Sequence, residues 1–122
     1  MSVPKATIQV FGKAKCFDTK KALRFFKERG VPVQEIDILR KGLSAGEYRS
    51  VRTALGGDLD ALIDDKGKAY GQYFVAYLAG ESAKESALLA HPELYRTPIV
   101  RQGKRATIGY EPQVWARWLG EG

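Results

Sequence analysis

Cys16 is the residue whose type and position best suit reactive sulfur chemistry, and it is the single cysteine of the chain. The residues before it predict a strand over 7–11 and a tight loop over 12–15, and a helix is predicted from about Phe17. A thiol at such a junction lies beside unpaired backbone N–H groups at the positive end of a helix dipole, and both favour the nucleophilic thiolate. Because the sequence has no second cysteine, a disulfide formed by Cys16 must be opened by an external thiol.

Two lysines and a threonine bear on how far this thiol ionises. An ordinary thiol with a pKa of about 8.5 is only about 3% thiolate at pH 7. A helix end alone changes this little, so backbone N–H groups, Lys13 and Lys15 are expected to contribute the rest. Thr19 could donate its hydroxyl to the thiolate or satisfy local backbone, and both interpretations stay open. The alternative for Cys16, a small buried hydrophobic residue, is disfavoured by the charged neighbours on both sides.

Positive charge is concentrated around the cysteine. The net charge is +6, and residues 13–29 hold seven lysines and arginines against two acids. Such an excess favours acidic partners or nucleic acid, or it forms a solvated surface, which is the commoner case. No phosphate loop, dinucleotide fingerprint or zinc spacing accompanies it, so we expect no nucleic-acid ligand, no metal and no bound cofactor. His91, the sole histidine, is expected to cap a helix end.

Length and composition are those of an ordinary globular domain. With 44% hydrophobic and 28% charged residues, residues 1–122 are expected to form one domain that acts as a monomer. A lone cysteine fits a reducing, cytoplasmic compartment better than secretion. The N-terminus has no signal-peptide core and no apolar run reaches membrane length, so we expect no membrane association.

The hydrophobic pattern predicts an α/β fold in the order β-α-β, a helical insert over about residues 44–92, and then β-β-α. The first helix is expected to end at Gly30, before a second strand over residues 31–38. Residues 98–100 and 106–109 predict a hairpin. Pro112 suits the first turn of a final helix that packs through Trp115 and Trp118.

Four patterns describe the insert. The segments Ser44–Glu47 and Ser82–Glu85 match capping boxes and predict two helix starts. Residues 58–63 predict a short helical segment. The spacing of four further side chains predicts one face of another helix; they are Tyr70, Phe74, Tyr77 and Leu78.

Two segments carry a resemblance to a known family: Cys16-Phe17-Asp18-Thr19-Lys20-Lys21-Ala22 and Thr97-Pro98-Ile99-Val100. With the order of elements, they resemble the thioredoxin-fold family that contains glutaredoxin-coupled arsenate reductases, Spx-type transcription regulators and small thiol reductases. The matching segments are Ile8 to Asp37, Leu62 to Tyr70, and Thr97 to Trp115. The resemblance implies a thioredoxin-like fold with a four-stranded mixed sheet. It also implies that Pro98 is a cis-proline that opens the third strand and faces Cys16.

The resemblance further implies a glutaredoxin-like oxidoreductase in which Cys16 attacks a disulfide or a glutathionylated substrate, or captures glutathione. An external thiol resolves the mixed disulfide, so glutathione, glutaredoxin, thioredoxin or a disulfide-bearing protein is the expected co-substrate or partner. The backbone of Thr97, beside Pro98, would bind the substrate peptide or glutathione. Lys13 and Arg101 are candidates to bind the carboxylates of that ligand. The alternatives are a non-enzymatic Spx-like binding or regulatory module and a true arsenate reductase.

Departures from the family pattern narrow these functions. Arsenate reductases of this family bring three arginines to the oxyanion. The matching positions here hold Thr97, Tyr110, and Asp64 or Asp65. Arg96 lies one residue too early. A tetrahedral oxyanion needs forked, charged donors, so a thiol or disulfide substrate is favoured over arsenate. Spx-type regulators commonly place a second cysteine three residues after the first; Thr19 stands there instead, which excludes an intramolecular disulfide.

Overall fold

The computed structural model describes residues 7–120, and a four-stranded mixed sheet forms its centre. The strands are β1 (Ile8–Gly12), β2 (Val33–Asp37), β3 (Ile99–Gln102) and β4 (Arg105–Ile108), in the spatial order β2-β1-β3-β4. β1 runs parallel to β2 and antiparallel to β3, with Val10 opposite Val100. β3 and β4 form the predicted hairpin. The predicted α/β fold with a mixed sheet is confirmed.

Helix α1 (Phe17–Glu28) connects β1 to β2 and carries a buried apolar stripe. Ala22 and Phe26 are fully buried on this stripe, because the 3.6-residue helical repeat brings them to one face. Gly30 follows with a φ of 66°, and its amide donates to the carbonyl of Lys27 at 3.1 Å. Glycine adopts this left-handed conformation without a steric cost, so the predicted end of the helix is confirmed.

The insert between β2 and β3 is built from short helices and turns over residues 38–94, a wider span than the predicted 44–92. The helices are α2 (Ile38–Lys41), α3 (Ala45–Ala54), α4 (Lys68–Gln72) and α5 (Gly80–Ala90), with 3₁₀ turns at Leu59–Leu62, Val75–Tyr77 and Pro92–Leu94. At the start of α3 the Ser44 hydroxyl accepts from the Glu47 amide at 3.1 Å. The Glu47 carboxylate accepts from the Ser44 amide at 2.9 Å. The first predicted capping box is therefore confirmed, as is the short helical segment before Ile63.

The single helix predicted through Tyr70 and Leu78 is wrong. The chain leaves α4 after Gln72, and Phe74 adopts a left-handed backbone with a φ of 54°. Phe74 and Tyr77 are 67% and 84% exposed, so they share no buried face with Tyr70. Gly71 lies inside α4 and weakens it, because glycine is a poor helix former.

The second predicted capping box, at Ser82, is also wrong. Helix α5 begins at Gly80, with Ala79 as its N-cap and no side-chain cap. Glu85 lies inside the helix, where its carboxylate accepts from the Arg52 guanidinium at 3.2 Å. Glu81 accepts from the same guanidinium at 3.0 Å. This ion-pair network links the first turns of α5 to α3, and Glu85 has no capping role.

The sheet has an apolar core on each face. Successive strand residues point to opposite faces, so Val10 and Val100 pack under α1 and α6 (Pro112–Trp118), while Phe11 and Ile99 pack against the insert. Trp115 of α6 is fully buried and its indole N–H donates to the Thr107 hydroxyl at 2.8 Å; Trp118 is buried as well. The predicted packing of the final helix is confirmed. No helix among residues 7–120 combines the length and the apolar character needed to cross a membrane.

Candidate functional site

Cys16 occupies the N-cap of α1, where the chain passes from extended to helical backbone. Its carbonyl accepts the first helical hydrogen bond, from the Lys20 amide at 3.2 Å. Its amide donates to the carbonyl of Lys13 at 3.0 Å, which closes the loop between β1 and α1. The side chain is partly buried. The thiol is therefore held at the helix start and remains within reach of solvent.

Thr97 lies directly across from this thiol. The Cys16 Sγ donates to the Thr97 carbonyl oxygen over 3.5 Å, although 81 positions separate the two residues. The Thr97–Pro98 peptide bond is cis. Pro98 is buried immediately before β3. The antiparallel pairing of β1 with β3 places the end of β1 beside the start of β3, and this brings the two loops together.

The pKa of the Cys16 thiol lies below its ordinary value, and several opposing causes set it. Partial burial raises the pKa. Hydrogen bonds from the hydroxyls of Thr19 and Thr97, and from the backbone N–H groups of Thr19 and Asp18, lower it and together outweigh the burial. These groups stabilise the thiolate because each can donate to the charged sulfur. The two threonine hydroxyls thus lower the pKa of the thiol, an effect that the sequence analysis expected from Lys13 and Lys15 as well as from backbone N–H groups.

Thr19 is buried in the first turn of α1 and is fixed from two sides. Its hydroxyl oxygen accepts from the Lys13 amide at 3.4 Å. Its methyl group fits against Gly12, where an added Cβ would overlap Thr19 Cγ2. The hydroxyl therefore accepts from local backbone and also lowers the pKa of the Cys16 thiol, so the structure is compatible with both interpretations of Thr19.

Lys13 and Arg101, the two cations predicted to bind carboxylates, differ in their position relative to the thiol and in their hydrogen-bond partners. Lys13 lines the pocket beside Cys16, but its ammonium donates to the carbonyl oxygens of Glu93 and Tyr95 at 3.0 and 2.9 Å. Arg101 lies on β3, outside that pocket, and donates to the Gln9 side chain at 3.0 Å. The fold therefore brings Lys13 to the thiol and leaves Arg101 elsewhere.

An open pocket of about 560 Å³ lies over the thiol. Its lining combines Cys16, charged residues of both signs and residues at the ends of β3 and β4: Lys13, Lys15, Cys16, Asp18, Asp64, Arg96, Thr97, Ile108 and Gly109. Sequence reasoning did not select Arg96 or Asp64 as site residues. The signal was present, because Asp64 is one of the positions matched to the family's arginines and Arg96 immediately precedes Thr97, which is another.

His91 lies outside the lining of this pocket. Its ring stacks on Tyr73 with centroids 3.7 Å apart, at the C-terminal end of α5. In the part of the chain that the structure describes, no three His, Cys, Asp or Glu side chains lie close enough to hold a metal ion.

The chain is similar in sequence to a known protein family and to a known relative. A model of the ArsC family matches residues 11–118. The chain is 29% identical, over 105 residues, to the global transcriptional regulator Spx 2 of Oceanobacillus iheyensis. That alignment covers 85% of this chain and 77% of the relative.

Two solved structures show the same fold. One is a putative ArsC family related protein from Bacteroides fragilis, with a TM-score of 0.82 and 15% identity, covering 91% of this chain and 96% of the other. The second is an arsenate reductase from Vibrio cholerae, with a TM-score of 0.75 and 21% identity, again covering 91% and 96%. The predicted thioredoxin-like arrangement is thereby confirmed.

Proposed function

This chain belongs to the ArsC family, as its residues predicted, and on that premise we propose that it is a monothiol reductase coupled to glutathione or glutaredoxin. Cys16 is the nucleophile, and an external thiol regenerates it. The proposed reaction takes place in the reducing cytoplasm, and the active form of the protein is a monomer.

The relationship between Cys16 and Thr97 carries the proposal. The thiol has a lowered pKa, lies at the start of α1 and opens onto a pocket large enough for a peptide. Thr97 faces it with main-chain groups that can pair with an extended peptide, as in related thioredoxin-fold proteins. A reactive thiolate beside a backbone binding edge suits thiol–disulfide exchange.

The reaction proceeds in two exchange steps. The Cys16 thiolate attacks the glutathione sulfur of a glutathionylated substrate, forming a Cys16–glutathione disulfide while the substrate leaves as a thiolate and takes up a proton. A second glutathione thiolate then attacks the glutathione sulfur of that disulfide. Oxidised glutathione leaves and the Cys16 thiolate returns, so one substrate disulfide is reduced for each glutathione consumed.

The mixed charges of the pocket favour a zwitterionic thiol. Glutathione carries two carboxylates and one ammonium group, and the pocket offers Lys15 and Arg96 for the former and Asp18 and Asp64 for the latter. Arsenate is wholly anionic, and the same two aspartates would repel it. The lining therefore supports glutathione over arsenate as the small-molecule substrate.

A coupled assay tests the proposal. A glutathionylated peptide is incubated with reduced glutathione, glutathione reductase and NADPH, using wild-type protein and Cys16→Ser, and any turnover with added glutaredoxin is counted only above that of glutaredoxin by itself. We expect turnover by the wild type alone, and mass spectrometry should find one glutathione attached to Cys16. Arsenate serves as a parallel substrate. Absence of peptide turnover, or turnover equal in Cys16→Ser, would refute the reductase; arsenate turnover would restore the arsenate reductase alternative.

A regulatory binding role is the second candidate, favoured by the similarity to the transcriptional regulator over 85% of this chain. The exposed face of α1 presents four cations that suit an acidic partner: Lys20, Lys21, Arg24 and Lys27. A pull-down from cell extract with wild type and Cys16→Ala separates the roles. Equal capture by both proteins would favour regulation, whereas covalently trapped partners lost in Cys16→Ala would favour the reductase.

A further inference from the structure

Lys13 is held near the thiol by hydrogen bonds through three of its groups: the ammonium, the amide and the carbonyl. Its ammonium donates to the carbonyl oxygens of Glu93 and Tyr95 at 3.0 and 2.9 Å. Its amide donates to the Thr19 hydroxyl at 3.4 Å, and its carbonyl accepts from the Cys16 amide at 3.0 Å. One residue thus contacts both the loop that carries Cys16 and the segment that leads into Thr97.

That segment, residues 93–96, is anchored separately to residues 62–64. The Leu94 carbonyl accepts from the Asp64 amide, and the Arg96 amide donates to the Leu62 carbonyl, both over 2.8 Å. These bonds fix the segment relative to residues 62–64. The two bonds from the Lys13 ammonium fix it relative to the loop that carries the thiol.

We infer that Lys13 is a positioning residue that holds Thr97 against the Cys16 sulfur, and is not a ligand for substrate carboxylates. Two of the three ammonium protons are directed at main-chain carbonyls, which leaves at most one for a ligand. Hydrogen bonds from a charged donor are stronger than neutral ones, so they can set the distance between two loops. An effect of Lys13 on substrate turnover rests on the proposed function, whereas its effect on the reactivity of the Cys16 thiol is independent of that function.

A test must separate lost bonds from lost charge. The thiol also faces charged side chains from the loop, α1, the insert and the segment before β3: Lys15, Asp18, Asp64 and Arg96. Lys13→Met removes the ammonium and keeps the length of the side chain. Lys15→Met removes the same charge from the same loop and pocket, and serves as the matched control. Lys13→Arg retains a cation that can donate to both carbonyls.

The readouts are the rate of Cys16 alkylation by iodoacetamide over a pH series and amide hydrogen exchange in residues 93–97. Loss of the two bonds in Lys13→Met should slow alkylation at neutral pH about threefold and speed exchange at Tyr95 and Arg96. Lys13→Arg should restore both values. Lys15→Met should change alkylation less and leave exchange unchanged. Equal effects of Lys13→Met and Lys15→Met, or unchanged exchange in Lys13→Met, would overturn the inference.

Folding of each variant is checked by circular dichroism. If Lys13→Met fails to fold, Lys13→Gln replaces it, since its amide can still donate to one carbonyl. Intermediate exchange and alkylation rates are then expected, and wild-type rates in Lys13→Gln would overturn the inference. If the Lys13 variants show the expected changes in alkylation but the wild type has no reductase activity, the proposed function is refuted and the positioning role of Lys13 stands.

Discussion

Thr97 contacts both protonation states of Cys16. Its carbonyl oxygen accepts from the neutral thiol over 3.5 Å, while its hydroxyl, like that of Thr19, stabilises the thiolate. Burial alone would raise the pKa of the thiol, so these two hydroxyls decide its direction together with the backbone N–H groups of the first helical turn. The lowered pKa of Cys16 is therefore explained by these threonines and backbone N–H groups, and no lysine is among its causes.

Replacing Thr19 by valine should make the thiol less reactive. Valine keeps the shape of the side chain and removes the hydroxyl that donates to the thiolate, so the pKa of Cys16 should rise. One hydrogen bond corresponds to about a two- to tenfold fall in the alkylation rate at pH 7. The measurement is iodoacetamide labelling over a pH series. Thr19→Ser keeps the hydroxyl and should label at nearly the wild-type rate; equal slowing in both variants would contradict this account.

The lowered pKa of Cys16 also makes stability depend on pH. The pKa of the thiol is lower in the folded chain than in the unfolded chain, where it has its ordinary value, because hydrogen bonds to the sulfur outweigh its burial. This contribution is fully present above the unfolded pKa and is lost as the pH falls through the folded pKa. The free energy of unfolding of the wild type, minus that of Cys16→Ser, should rise with pH in this window and then level off.

Urea unfolding at a series of pH values, with a phosphine reductant, measures that difference. Subtraction of the Cys16→Ser values cancels the contributions of other titrating groups. A difference that stays flat or falls with rising pH would show that the folded protein does not favour the thiolate.

Gly12 should tolerate no side chain. An added Cβ would overlap the methyl group of Thr19, so Gly12→Ala must displace the hydroxyl that supports the thiolate. Overpacking of this kind destabilises a protein by about 1–3 kcal/mol, and alkylation of Cys16 should slow as well. Gly46→Ala in α3 is the control, because open space surrounds Gly46, and it should leave alkylation unchanged. Normal labelling and stability in Gly12→Ala would contradict the close fit.

Arg96 should contribute to substrate binding if the proposed function holds. It lines the pocket beside Cys16, and loss of a charged hydrogen bond costs about 1.5–3 kcal/mol, or about tenfold or more in binding. Arg96→Ala is therefore expected to raise KM for the glutathionylated peptide with little change in kcat. Arg24→Ala, which removes an exposed cation from α1, is the control. An unchanged KM in Arg96→Ala, or an equal rise in Arg24→Ala, would remove Arg96 from the binding site.

Much of the fold was predictable because its signals are local. The strand before Cys16, the glycine after α1 and the capping box at Ser44 each depend on residues close in sequence. The insert after residue 63 was predicted less well. There the apolar spacing suggested one helix, but a left-handed residue at Phe74 ends it, and Glu85 pairs with a distant arginine instead of capping α5.

The site was predictable only at its centre. Cys16 and Thr97 could be selected from motifs, but the partners of the Lys13 ammonium lie 80 and 82 residues away and have no local signal. Arg101 lies two residues beyond Ile99 along β3 and pairs with Gln9 of β1, away from the strand end where Thr97 meets Cys16. Charge and proximity in sequence therefore predicted one cation at the pocket and misplaced the other.

The threonine in the first turn of α1 has a consequence for how long the protein stays modified. A hydroxyl at position 19 can steady the sulfur but cannot displace a group bonded to it. The lifetime of any adduct on Cys16 is then set by the concentration of thiol in the surrounding solution. The fraction of chains that carry an adduct would rise whenever that supply runs short, and so would record the reducing capacity of the cell.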